Sequence, residues 1–378
     1  MVASPLARTT QASPTAAAWQ ALVGAPLPSR RQEEWRFSDP AGFSQLEPRL
    51  WSGSEPWVDQ ALPAGVERLD PAAAQPQLAA VLEQTHCHEH WPVRLNAAAQ
   101  VALLPLQVSA GVSELVLDLD AAGRGEVLAV RLLLLLEPGA QLDLTLRLRA
   151  TGRSLSSVVI AAVLQAGSRL NLAAVAAGHL DASVLAHLAA VQDPTSTLQF
   201  TTAAAGWGFS RLEPRVVQRD GGAQTRLRAL QWVHDDQVAD THSLVRFEGP
   251  DGSLDQVHKT VADGNGRSVF NGAVQVPRAA QRTDAAQLSR SLLLSDRARI
   301  DTKPELEIVA DDVKCAHGAT VSQLQSEELF YLRSRGIAED QAARLLLAGY
   351  CDEVLAELPA AAAGWQPLLE QLRRGASS

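Results

Sequence analysis

The sequence predicts a mainly β fold: a parallel β-helix of about 28 residues per coil, preceded and followed by helical segments. Two observations carry this reading. In the middle of the chain, apolar residues alternate strictly with polar ones. Leu142, Leu144, Leu146 and Leu148 are separated by Asp143, Thr145 and Arg147, and Leu115, Leu117 and Leu119 follow the same rule. That period marks a strand with one buried face. The alternating runs also recur. Pro138-Gly139-Ala140 precedes Leu142 and Leu144. Ala166-Gly167-Ser168 precedes Leu170 and Leu172 after 28 residues, and Pro194-Thr195-Ser196 precedes Leu198 and Phe200 after 28 more. The copy at Gly222-Ala223 before Leu227 slips by one residue, and Pro250-Asp251-Gly252 before Leu254 restores the register. A fixed turn-and-strand unit stacks into coils that bury their apolar faces on one another. A leucine-rich repeat has a similar period, but its L-x-x-L-x-L-x-x-N signature and its helical pattern are both missing.

The elements follow in three segments. Residues 1–95 read as a helical and irregular region, in which Ala16 to Val23 is a short apolar patch stopped by Gly24 and Pro26. Four of the eight tryptophans (Trp19, Trp35, Trp51 and Trp57) fall here, a clustering that predicts a small packed subdomain. Residues 96–320 are the β-helix core. Residues 321–378 form a C-terminal helical region, beginning with a hairpin. Its first helix has Ser326 as the expected N-cap, Glu327 and Glu328 against the helix dipole, and Gly336 at its end. Its second runs from about Glu339, with Leu346, Tyr350, Val354 and Leu358 along one face until Pro359, and 360–374 adds a further helix. Such a hairpin either caps the open end of the β-helix or presents a docking face.

Composition limits the function. The chain has 378 residues, 46% of them apolar, and 42 acidic against 33 basic side chains give a net charge of −9. That rules out disorder by composition and argues against a nucleic-acid surface. The longest apolar stretch, Val127 to Leu136, is interrupted by Arg131 and falls short of the roughly 20 residues a membrane span needs. Three cysteines, Cys87, Cys315 and Cys351, make no disulfide framework and suit a reducing compartment. The N-terminus has no apolar signal region, so a cytoplasmic protein is expected, or one of the plastid stroma if the Ser/Thr/Ala-rich start is a transit remnant.

Catalytic signatures are missing: there is no G-x-S-x-G, no phosphate loop and no H-E-x-x-H, and Gly264-Asn265-Gly266 reads as a turn between strands. Two Cys/His groups remain. His86-Cys87-His88-Glu89-His90 has the residue types of a metal cluster. As a strand it would set all three histidines on one face, and as a helix only His86 and His90. It lacks the second pair of ligands of a structural zinc, so a solvated loop is expected. Cys315-Ala316-His317 closes the repeats. On a strand these two side chains share one side and can offer a thiolate and an imidazole to one site, whose remaining ligands must come from another chain. Asp301, Glu305, Glu307, Asp311 and Asp312 invite comparison with β-helix carbohydrate enzymes, but their alternation with Leu306 and Ile308 fits a solvated strand face. Arg211, Arg215, Arg219, Arg226 and Arg228 likewise read as a solvated face paired with local acids.

The stretch from Ser268 to Ile337, SVFNGAVQVPRAAQRTDAAQLSRSLLLSDRARIDTKPELEIVADDVKCAHGATVSQLQSEELFYLRSRGI, closely resembles the C-terminal core of the SufB/SufD family. These proteins are the β-helix subunits of the SUF iron–sulfur cluster assembly scaffold. Within the family, LPSRRQEEWRFSD (27–39) and the chain length resemble the SufD side. So does the lack of any cysteine between Cys87 and Cys315, because a SufB has a further sulfur-accepting cysteine in its β-helix. The resemblance implies a right-handed β-helix and a complex of one SufB, one SufD and two copies of the ATPase SufC. It implies that the C-terminal helices contact SufC, and that a SufB cysteine and the histidine here numbered His317, with Cys315 beside it, hold iron or a transient cluster at the heterodimer interface. This chain is then a non-catalytic scaffold subunit concerned with iron entry, with no tightly bound cofactor of its own and with self-pairing expected in isolation. The competing readings are a β-helix carbohydrate-active enzyme, a SufB-like sulfur-accepting subunit, and a structural zinc protein centred on His86 to His90.

Overall fold

A computed structural model of the protein describes residues 14–38, 40, 46–50, 57, 61–99, 103–121 and 123–375. The readings made for residues 1–13 and for Trp51 lie outside the described residues.

Each coil gives one strand to each of two parallel sheets. The first sheet holds β2 (Leu103–Val108), β4 (Arg124–Leu136), β6 (Arg153–Leu164), β8 (Ala182–Gln192), β10 (Phe209–Gln218), β12 (Val238–Phe247), β14 (Arg267–Val276) and β16 (Arg299–Ile308). A short strand, β1 (Val66–Arg68), pairs antiparallel with β2 at its edge. The second sheet holds β3 (Gly111–Ala121), β5 (Ala140–Ala150), β7 (Arg169–Ala177), β9 (Thr197–Ala205), β11 (Gln224–Val233), β13 (Ser253–Ala262), β15 (Asp284–Leu293) and β17 (Lys314–Gln323). The coil rise is mostly 28 or 29 residues (Leu142↔Leu170, Phe209↔Val238), and 27 at the slipped copy, where Phe200 pairs with Leu227. It lengthens to 32 near the end, where Arg267 pairs with Arg299.

The repeat's turn residues have a conformational cause. The middle residue of each corner sits at positive φ: Gly139 (+74°) and Gly167 (+67°) do so without strain, and Thr195, Asp251 and Arg282 adopt the same geometry at about +60°. The corner N–H donates to the next corner's carbonyl, from Gly139 to Ala166 and from Gly167 to Pro194. Arg282 also forms a two-pronged ion pair with Asp251, at 2.6 Å each.

The lumen is filled by the alternating residues. One column runs Leu115, Leu144, Leu172, Phe200, Leu227, Gln256, Gln287, His317 through successive strands of the second sheet. Its apolar part is buried, and each fully buried Leu or Phe contributes roughly 1.5–3 kcal/mol.

Helices cover the outer faces. α1 (Pro14–Val23), α2 (Pro71–Gln84) and α3 (Trp91–Ala98) lie over the first sheet. α2 starts with Pro71 at its first position and Asp70 accepting from Ala73 N–H (2.8 Å). The tryptophans do not form a subdomain of their own. Trp19 and Trp35 pack with Trp91 on outward-facing Val127, Leu155, Leu185 and Phe209, whereas Trp57 joins the lumen core and donates to Asp118 O (2.8 Å). Their apolar partners are strand residues far along the chain, which local clustering does not reveal.

At the other end come α4 (Ser326–Ser334), α5 (Glu339–Leu355), α6 (Ala360–Ala363) and α7 (Gln366–Gly375). The N-cap of α4 is Gln325; Ser326 is already helical and makes no side-chain cap. α5 buries Ala342, Leu347, Cys351 and Val354, a stripe that shares only Val354 with the one read from the sequence. These helices do not cap the β-helix. Leu347, Cys351, Val354, Leu358 and Leu368 pack sideways on Val175, Ala203, Leu230, Trp232 and Val261, the outer face of the second sheet. The last coil is therefore left uncovered: β16 and β17 are the terminal strands of their sheets, with no buried residue in either.

Candidate functional site

Cys315 and His317 stand on β17, the last strand of the second sheet, two positions apart and hence on one side. That side faces the lumen: Cys315 is in register with Ala285 and packs against the lumen core, and His317 is in register with Gln287. Because no further coil follows, Cys315 is only half-buried and His317 is exposed at the mouth of the solenoid. Burial pushes the Cys315 thiol above its ordinary range.

Behind them the lumen changes character. Gln287 donates to Gln256 Oε1 (2.9 Å), which donates on to Ser243 (2.9 Å), and Gln287 Oε1 has no hydrogen-bond partner among the described residues. His258 is fully buried beside Thr241 (3.2 Å), and burial pushes its pKa down to about 3, so its ring is neutral. Sequence reading missed this polar lining, although glutamine where earlier coils place leucine or phenylalanine was its signal. The lengthened coils at 253–284 and 284–314 hide the column from a fixed 28-residue frame.

The acids of β16 do not converge on a groove. Asp301 pairs with Arg267 (2.8 Å) and Arg299 (2.9 Å), Glu305 with Lys303 (2.9 Å), and Glu307 accepts from Gln275 (2.8 Å).

The arginine run departs from its sequence reading. It is paired with acids, but Arg211 and Arg228 are buried, because helical segments cover both sheets at these points. Arg211 is held by Glu213 (2.5 Å) and Asp240 (2.5 Å), and it donates to Glu34 O (2.9 Å). Burial alone would raise the Glu213 pKa, but Arg211 and the two histidines hold it well below the usual carboxylate range. Arg228 reaches Glu357 (3.0 Å) and Asp255.

The histidine run also resolves differently from either regular alternative. It forms the turn between α2 and α3, with His86 at positive φ and near Arg246 (2.6 Å), and His88 exposed. His90, the N-cap of α3, turns inward to Glu213 (3.1 Å), which also meets His187 (3.2 Å). His187 and Glu213 were not singled out from the sequence; the only signal was an ionisable residue in the middle of each interior strand.

Comparison with known proteins decides the family. Residues 119–350 match the family described as SUF system FeS cluster assembly, SufBD core domain, which covers more than half of the chain and takes in β17 with Cys315 and His317. The chain belongs to the SufBD family. Among relatives, an iron-sulfur cluster assembly SufBD family protein of Synechocystis is 42% identical over 181 residues, covering 48% of this chain and 40% of its own length. Protein ABCI7, chloroplastic, of Arabidopsis thaliana is 39% identical over 169 residues (44% and 36%). The iron-sulfur cluster assembly protein SufD of Escherichia coli is 40% identical over 129 residues (34% and 30%). These alignments each span less than half of the relative's length. The parallel β-helix is thus the SufBD core of an iron–sulfur cluster assembly protein. Among the described residues, no helix is long and apolar enough to cross a membrane.

Proposed function

We propose that this chain is a SufD-type, non-catalytic scaffold subunit that pairs end-on with a SufB-type β-helix and works with a SufC-type ATPase. His317, with Cys315 beside it, then supplies ligands to the iron or nascent cluster that is the cargo of the shared interface. The observation that carries this reading is the uncovered last coil. Its strand edges are unpaired, Ile308, Val309 and Val321 are exposed there, and a soft sulfur and an imidazole stand at its mouth. Two side chains cannot complete a coordination shell, so the missing ligands belong to the docking partner.

Two further features support the assignment. None of the chain's three cysteines lies between Cys87 and Cys315, which leaves the β-helix core no thiol to accept sulfur as a SufB does. α4 buries none of its residues and presents Phe330 and Tyr331 to solvent, an apolar face suited to the ATPase. ATP hydrolysis belongs to that partner, and the same open end accounts for self-pairing when the SufB-type chain is absent.

The test is co-expression of the tagged chain with the SufB-type and SufC-type proteins of its host, for wild type and His317→Ala, with mass and iron content recorded. The expected result is an assembly of one copy each of the β-helix subunits with two ATPases, whose iron falls in the variant. An intact assembly with unchanged iron removes His317 from the chemistry, and no assembly overturns the reading.

A further inference from the structure

We propose that His90, His187 and Glu213 form a site for one borderline divalent transition ion, zinc or ferrous iron, on the outer face of the first sheet and separate from the open end. The three ligands come from different elements. His90 is the N-cap of α3, His187 lies in the middle of β8, and Glu213 is its register partner on β10. Their ligand atoms all lie within 4.8 Å of one another, the only such group of three among the described residues. Nδ1 of His90 is 3.1 Å and Nδ1 of His187 is 3.2 Å from the same oxygen, Glu213 Oε2. Ligand atoms about 2.0–2.1 Å from a tetrahedral ion stand about 3.3 Å apart, so two edges of the polyhedron already have nearly the required length. Two imidazoles and one carboxylate are the donor set of open zinc sites and of facial iron sites.

The surroundings hold these donors in place. Glu213 keeps its second oxygen, Oε1, on Arg211 Nε (2.5 Å), which leaves Oε2 directed at the imidazoles. His187 is fully buried, its Nε2 has no hydrogen-bond partner, and burial holds its ring neutral, the form that ligates. With an ion between the rings, each proton sits on Nε2 and each Nδ1 lone pair faces the metal. The His90 side chain, 12% exposed, is the way in from solvent. One charge opposes the site: Arg215, two residues along the same face of β10, lies close enough to act on His187. The histidine run of the sequence thus contributes one ligand, and the strands contribute the other two.

The experiment uses the full chain carrying Cys315→Ser and His317→Ala, so that the open end does not compete. After chelator treatment, Zn2+ and, under anaerobic conditions, Fe2+ are titrated separately against a chromophoric chelator, and bound metal is counted after gel filtration. The expected result is one equivalent of at least one of the two ions, and a melting temperature that rises with it. His90→Asn keeps a good N-cap but removes a ligand, and it should weaken the affinity at least tenfold with the circular dichroism unchanged. Arg215→Gln should tighten it. Failure of both ions to bind at one equivalent, or binding indifferent to His90→Asn, overturns the proposal.

Discussion

The Arg211 guanidinium lies 3.9 Å over the ring of Trp35, and its nitrogens are held at the same time by Glu213 and Asp240. Trp35 also stacks on Phe209, with ring centroids 6.4 Å apart, so one arginine joins the N-terminal segment to two adjacent strands of the solenoid. The arrangement is a buried charge row under an aromatic lid. Its stability rests on every member being present.

Removing Arg211 should therefore be severe and should change sign with pH. In the wild type, burial disfavours the charged forms of Glu213 and Asp240, but Arg211 outweighs it and holds both below their usual range. Groups with depressed folded values stabilise above their unfolded values, about 4.3 and 3.9, and lose that contribution as pH falls through the folded ones. Wild-type stability should thus hold from pH 7 to 5 as far as these groups are concerned. Arg211→Met leaves two buried carboxylates without their cation, at a cost of about 3–5 kcal/mol at pH 7. They then take up protons more readily, and the deficit should narrow towards pH 5. Urea unfolding at the two pH values checks this, and an equal deficit at both would sink it.

The repeats were legible in the sequence because coil stacking and strand alternation are local rules with fixed periods. Leu142 to Leu148 and the turn residues around Gly139 declare them directly. The open-end pair was legible for the same reason, since residues i and i+2 on any strand share a side. What covers the outer faces was not. The burial of Arg211 depends on Trp35, 176 residues earlier in number, and that of Arg228 on Glu357, 129 residues later. A cation in a strand reads as solvated until its lid is known. The grouping of His90 with His187 and Glu213 is a long-range contact of the same kind.

The C-terminal helical layer is tied to the second sheet by polar contacts around an apolar seam. Glu357 receives Arg226 (2.7 Å) and Arg228 (3.0 Å), Lys259 donates to Tyr350 O (2.7 Å), and Tyr350 Oη donates to Arg290 O (2.7 Å). Glu357→Gln removes the charge both arginines share, and Arg228 keeps only Asp255 as an acidic partner. The expected loss is about 1–3 kcal/mol, confined to this layer. Hydrogen exchange should quicken over 339–375 and stay unchanged in β5 to β9. Uniform acceleration across the chain would show instead that the layer and the solenoid open as one unit.

Thiol chemistry distinguishes the three cysteines. Cys87 is fully buried with its Sγ 3.0 Å from Thr85 Oγ1, and burial pushes its pKa up to about 11. Cys351 faces Trp232 and Val261 under α5, and burial pushes it up to about 12. Cys315 is raised by burial too, but it is half-buried at an uncovered end. Since the thiolate is the reactive form, a maleimide at pH 7.5 should modify Cys315 first, slowly for a cysteine, and leave the other two intact until unfolding. Peptide mass spectrometry reads the site. In the assembly with a SufB-type partner, the same modification should slow by at least tenfold, because the docked coil would cover β17. Equal rates in the free and assembled chain would place the partner elsewhere.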